Sequence, residues 1–216
     1  TDTELLTLSE DKWLPVTRMR DYEIRGMAAY GEGNVLLATE QGLKVLFGKH
    51  RTGVEVRGPS RSGWRTIMAR YTGNLSDDIR DIWADPWGHV WMATDCGISI
   101  HDDTSYWKTL TGKEGLPCED VRTIAAGPRG EMWFGTALGA ARLYEGVWKF
   151  YGAKRWLPHP TVTALAVAPD GTVWVGTEAG LSCLKSRDMS LEEKAAHYDG
   201  LVQKYHVRHG YVTIRT

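Results

Sequence analysis

Cysteine is scarce in this chain, long apolar runs are missing, and the charges cancel. The three cysteines among 216 residues, Cys96, Cys118 and Cys183, form no CxxC pair and leave at least one thiol over. That argues against a disulfide-stapled scaffold. No apolar stretch approaches the roughly 20 residues of a membrane-spanning helix, so no membrane insertion is expected. With 26 basic and 27 acidic residues the formal net charge is −1, and no overall field draws the chain to nucleic acid or an anionic membrane. The GxGxxG fingerprint, the P-loop and the GxSxG elbow are all absent. His206 and His209 lie three apart near a helix end, with no cluster of acid, His and Cys to complete a metal site. No catalytic residue, metal site or cofactor is therefore assigned. The chain begins at Thr1 rather than Met, so the lack of a signal peptide carries no information about compartment.

What the chain does have is a repeat. The stretch PDGTVWVGTEAGLSCL, from Pro169 to Leu184, reads as turn, strand, turn, strand. Related copies are GNVLLATEQGLKVL from Gly33, GHVWMATDCGISIH from Gly88 and GEMWFGTALGAARL from Gly130. Each keeps a Gly, a Thr six residues later and a second Gly three further on. The threonines are Thr39, Thr94, Thr136 and Thr177, separated by 55, 42 and 41 residues. A period of roughly 40–45 residues with about four strands per period is the mark of a β-propeller.

A further strand precedes each core unit: IRGMAAY from Ile24, IRDIWAD from Ile79, VRTIAAG from Val121 and VTALAVA from Val162. Small residues predominate there, as suits an innermost strand crowded around an axis. A fourth strand with an aromatic centre follows at Trp64–Ala69, Tyr106–Leu110 and Val147–Tyr151, and the last repeat has none. The N-terminal segment around Leu5–Val16 is expected to fill that gap and close the last blade. The longer first period holds a basic, Gly- and Ser-rich insertion from His50 to Gly63, read as a surface loop. Ser190 to His209 is expected to form a helix, with Ser190 and Glu193 as a capping box and one apolar stripe. The expected organisation is all-β: a small propeller of four sequence repeats over residues 1–186, then a C-terminal helix and tail over 187–216.

The core pattern of turn-Gly, apolar, Trp, apolar, Gly or Ala, Thr, two residues, Gly, apolar resembles the two-component regulator propeller repeat. GHVWMATDCGI, GEMWFGTALGA and GTVWVGTEAGL match it, and GNVLLATEQGL matches with Leu36 in place of Trp. In that family such propellers form the extracytoplasmic sensing halves of hybrid histidine kinases or precede other domains. The resemblance implies a non-catalytic binding or docking role and a periplasmic or secreted location. It also implies a small-molecule or oligosaccharide ligand, or a protein partner or downstream domain. The alternatives are a propeller-scaffold enzyme resembling a polysaccharide lyase, an accessory domain of a larger carbohydrate-active enzyme, and a purely structural assembly module.

The most informative local pattern is a triplet opening the inner strands. It reads Glu23-Ile24-Arg25, Asp78-Ile79-Arg80 and Asp120-Val121-Arg122, and becomes Thr161-Val162-Thr163 in the last repeat. One reading makes it a series of ion pairs between neighbouring blades. The other sets Arg25, Arg80 and Arg122 around the funnel mouth, where planar guanidinium forks hold a carboxylate or sulfate, as in an acidic glycan. His159 and Trp156, on the loop before the last inner strand, complete the candidate ligand-binding set. His159 near Arg122 is the only acid–base pairing open to a lyase. Trp91, Trp133 and Trp174 share one repeat position and are read as packing between blades.

Overall fold

The computed structural model describes residues 4–9, 12–18, 23–31, 34–46, 64–67, 75–101, 107–185, 190–193, 195–196 and 199–200. Its contacts divide the chain into two compact units, Thr1–Leu184 and Lys185–Thr216. The first unit is all-β, and every strand pairing in it is antiparallel. A hairpin joins β1 (Glu4–Ser9) to β2 (Lys12–Arg18). The first large sheet runs β3 (Ile24–Tyr30), β4 (Asn34–Thr39), β5 (Gly42–Leu46), β6 (Trp64–Ile67). The second runs β7 (Ile79–Ala84), β8 (Val90–Thr94), β9 (Gly97–His101), β10 (Trp107–Leu110). The third runs β11 (Val121–Ala126), β12 (Met132–Thr136), β13 (Gly139–Tyr144), β14 (Val147–Gly152). The fourth has three strands among the described residues, β15 (Val162–Val167), β16 (Val173–Thr177) and β17 (Gly180–Leu184).

The repeated residues explain why the chain folds this way. Each repeat Thr closes the turn between the second and third strands of its sheet. Its hydroxyl donates to the carbonyl of Gly42, Gly97, Gly139 or Gly180 at 2.6–2.8 Å. In the first three sheets the same oxygen accepts a backbone N–H at 3.2 Å. The glycine has positive φ, 128° at Gly97 and 151° at Gly139, where a side chain is strained.

The sheets stack face to face through three apolar layers. Leu36, Ala38 and Leu43 of the first meet Ile79, Ile82, Val90 and Met92 of the second. Ala93 and Ile98 of the second meet Val121, Ile124, Met132 and Phe134 of the third. Trp133 and Ala140 of the third meet Val162, Val173 and Val175 of the fourth. The innermost strands lie side by side in chain order, β3 by β7, β7 by β11 and β11 by β15.

The N-terminal segment differs from expectation. It pairs with itself, Leu5 opposite Thr17 and Leu8 opposite Trp13, and β17 pairs only with β16 among the described residues. A local hairpin closes a short loop, whereas pairing with β17 closes one spanning most of the chain, at a larger entropic cost. A four-residue helix, Ala153–Trp156, follows β14 and was not anticipated. The insertion at His50–Gly63 lies outside the described residues. In the second unit, residues 191–193, 195–196 and 199–200 are helical. The Ser190 N–H donates to Glu193 at 2.7 Å, and the Glu193 N–H donates to Ser190 Oγ at 3.2 Å, a reciprocal cap. The remainder of the expected helix lies outside the described residues.

Candidate functional site

Each inner strand opens with an apolar anchor followed by an irregularity in the ladder. In β7, Ile79 pairs with Thr94 and Asp81 with Ala93, so Arg80 has no residue opposite it. The register skips Arg25 in β3, Arg122 in β11 and Thr163 in β15 in the same way. A bulge of this kind leaves one residue out of the ladder and re-aims its side chain. The anchors Ile79, Val121 and Val162 are fully buried and fix the backbone from which each bulged side chain departs.

The re-aimed arginines form an alternating series with the acids of the triplets. Arg25 pairs with Glu23 of its own triplet at 3.3 Å and reaches across to Asp78 of the second sheet. Arg80 pairs with Asp78 at 3.3 Å and reaches across to Asp120 of the third. Partial burial opposes the charge on Arg25, but the hydrogen bond and charge of Asp78, helped by Glu23, outweigh it and raise the guanidinium pKa. Asp81 adds a tie between sheets, its carboxylate accepting the Ile124 N–H at 2.9 Å and its own neighbour Ile82 N–H at 2.8 Å.

The series ends at Arg122. Thr161 stands where the next acid would be, and among the described residues Arg122 pairs with no carboxylate of the fourth sheet. Its ion-pair partner is Asp120, 3.5 Å from Nε, and that buried Nε makes no hydrogen bond. Arg122 borders an open cavity of about 410 Å³ lined by Arg25, Asp78, Arg80, Arg122, Val162 and Thr163. Three guanidinium groups and one carboxylate line it; Arg25 and Arg80 are each held between two acids, whereas Arg122 has Asp120 alone.

The structure thus brings Arg25, Arg80 and Arg122 together, while His159 and Trp156 do not line the cavity. His159 Nδ1 accepts the Thr161 N–H at 3.2 Å and lies 3.6 Å from Glu178, so it is not paired with Arg122. Trp156 meets Tyr151 edge-on at 5.5 Å, with Arg155 over its ring at 5.1 Å. The bulges are what sequence reasoning missed. Their one signal is the recurrence of Arg beside a fixed apolar anchor in three repeats.

Residues 157–179 match the family described as the two component regulator propeller. Over those residues the chain is similar to the two-component regulator propeller repeat. No curated protein matches it in sequence. Solved propellers are similar in fold. One is the extracellular domain assigned to the hybrid two component system BT3049 of B. thetaiotaomicron, with 18% identity and TM-score 0.63 over 83% of this chain. The present chain spans only 23% of that solved domain. A second is virginiamycin B lyase from Staphylococcus aureus, with 14% identity and TM-score 0.53 over 87% of this chain and 60% of that one. A third is YCF48 bound to a D1 peptide, with 17% identity and TM-score 0.54 over 82% and 55%. Identities this low establish the propeller fold and leave activity to the site itself. Among the described residues no helix is long and apolar enough to cross a membrane.

Proposed function

We propose that this propeller is an extracytoplasmic ligand-binding module whose cavity at Arg25, Arg80 and Arg122 takes a carboxylate or sulfate of an acidic glycan. One observation carries the reading. Among the described residues the inter-sheet ion pairs stop at Arg122, whose guanidinium has no cross-sheet acid there and borders an open cavity. Arg25 and Arg80 are held by carboxylates on both sides, which neutralise them. Arg122 supplies the fork that a ligand carboxylate completes. Thr163, at the corresponding bulge of the fourth sheet, also lines the cavity and carries a hydroxyl. The fold shared with an extracellular two-component domain supports placement in the periplasm or outside the cell.

The test is calorimetric titration with oligosaccharides of uronic acid and with neutral oligosaccharides of the same length. Saturable binding is expected for the acidic series alone. Arg122→Gln weakens it by about ten- to hundredfold, the loss of a charge-assisted hydrogen bond, and leaves the melting temperature unchanged. Arg80→Ala leaves Asp78 and Asp120 with one arginine each, cuts the tie between the second and third sheets, and lowers the melting temperature by about 2–4 °C. Acidic ligands that bind Arg122→Gln as tightly as wild type would overturn the reading.

A further inference from the structure

The two complete steps of the ion-pair series show how this fold holds a carboxylate between neighbouring sheets. Asp78 takes Arg25 of the preceding sheet on Oδ1, and on Oδ2 it takes Nε of Arg80, from its own sheet, at 3.3 Å. Asp120 takes Arg80 of the preceding sheet, with Nε of its own sheet's Arg122 at 3.5 Å. Each acid thus lies between a guanidinium reaching across and the bulged side chain two residues further on. At Asp78 the planar group has one donor for each of its two oxygens.

The third step keeps the same backbone and lacks only the acid. The Thr161 carbonyl accepts the Glu178 N–H at 3.3 Å, as the Asp120 carbonyl accepts that of Ala137 at 3.0 Å, and both donors directly follow a repeat Thr. The Thr161 N–H donates to His159 Nδ1 at 3.2 Å, two residues back, as the Asp78 N–H donates to Ser76 Oγ at 3.1 Å. Val162 is fully buried, like Ile79 and Val121, and anchors the strand that follows. Position 161 therefore stands to Arg122 as Asp120 stands to Arg80. Two residues on, the bulged Thr163 lines the cavity beside Arg122, where the earlier sheets have an arginine.

We infer, resting on the reading of the cavity as an anion site, that it selects a planar carboxylate, as of a uronic acid, over a sulfate ester. The ligand carboxylate takes the part of the acid that the last repeat lacks, and Thr161 sets this specificity by bringing no carboxylate of its own. One ligand oxygen faces the Arg122 guanidinium and the other the Thr163 hydroxyl, one donor for each, as at Asp78. A sulfate ester brings a third oxygen. The remaining lining residue on that wall is Val162, whose side chain has no donor, so the third oxygen loses its water without gaining a partner.

The experiment titrates the full chain calorimetrically with a uronic-acid oligosaccharide and with a sulfated neutral oligosaccharide of equal length and charge, beside thermal melts. The uronate is expected to bind about tenfold more tightly, or better. Thr161→Asp supplies the acid from within the chain. It is expected to raise the melting temperature by about 1–3 °C and to weaken uronate binding by about tenfold or more. Thr161→Asn, which matches Asp in shape without its charge, is expected to melt below Thr161→Asp and to bind uronate more tightly than it. Equal affinity of the wild type for the two anions overturns the inference and leaves the anion site standing. Binding of neither removes the anion site and the inference with it. A Thr161→Asp protein that binds uronate as tightly as wild type, or melts no higher than Thr161→Asn, overturns the role of Thr161.

Discussion

At the scale of single residues, the threonine that marks each repeat is a structural donor and acceptor in one. Thr136 is fully buried, donates to the Gly139 carbonyl at 2.7 Å and accepts the Leu138 N–H at 3.2 Å. Thr136→Val keeps the shape and removes both bonds, taking a partner from the buried Gly139 carbonyl and from the Leu138 N–H. It is expected to cost about 1–3 kcal/mol and to lower the midpoint of a thermal melt by several degrees. An unchanged midpoint would mean that water replaces the hydroxyl. Arg122 shows the opposite behaviour. It has the same chemistry as Arg25 and Arg80, but Thr161 denies it the acid that they have. Its availability comes from one missing carboxylate in a neighbouring repeat, which is why sequence alone left the structural and binding readings of the triplets open together.

At the scale of strands and sheets, one repeat position carries two different demands. A Cβ on Gly135 would lie 2.5 Å from Val162 Cγ1 and from Thr123 Cγ2, because the fourth sheet packs directly on the third. On Gly176, the same position one repeat later, the nearest atoms are 3.5 Å away. Gly135→Ala is therefore expected to destabilise by about 1–3 kcal/mol through overpacking, and Gly176→Ala to stay within about 0.5 kcal/mol of wild type. Denaturant unfolding of the pair checks this, and equal effects would contradict the stacking order. The tryptophans follow the same logic. Trp133 is 4% exposed beneath the fourth sheet, and Trp174, its counterpart, is 43% exposed. Strand identity was legible in the sequence, because alternation, turn glycines and the repeat Thr all report on local pairing. The bulges at Arg25, Arg80 and Arg122 were not, since a ladder that skips one residue looks like an unbroken strand until its partner is placed.

At the scale of the whole molecule, the four phased repeats become, among the described residues, four antiparallel sheets, three with four strands and one with three, beside the β1–β2 hairpin. The repeat period made that architecture legible. The pairing of β1 with β2 was not, because a choice between a nearby partner and a distant edge is decided by loop entropy and tertiary packing. The ion pairs that cross from sheet to sheet tie the inner strands together and leave one guanidinium at their end. The central claim is that this end is a binding group. The most direct measurement labels the protein with ¹⁵N-arginine and follows the Nε signals as a uronic-acid oligosaccharide is added. The Arg122 signal, assigned by its loss in Arg122→Gln, is predicted to shift to saturation while those of Arg25 and Arg80 move little. An Arg122 signal that stays fixed, or that drifts only in proportion to added ligand, would contradict the account.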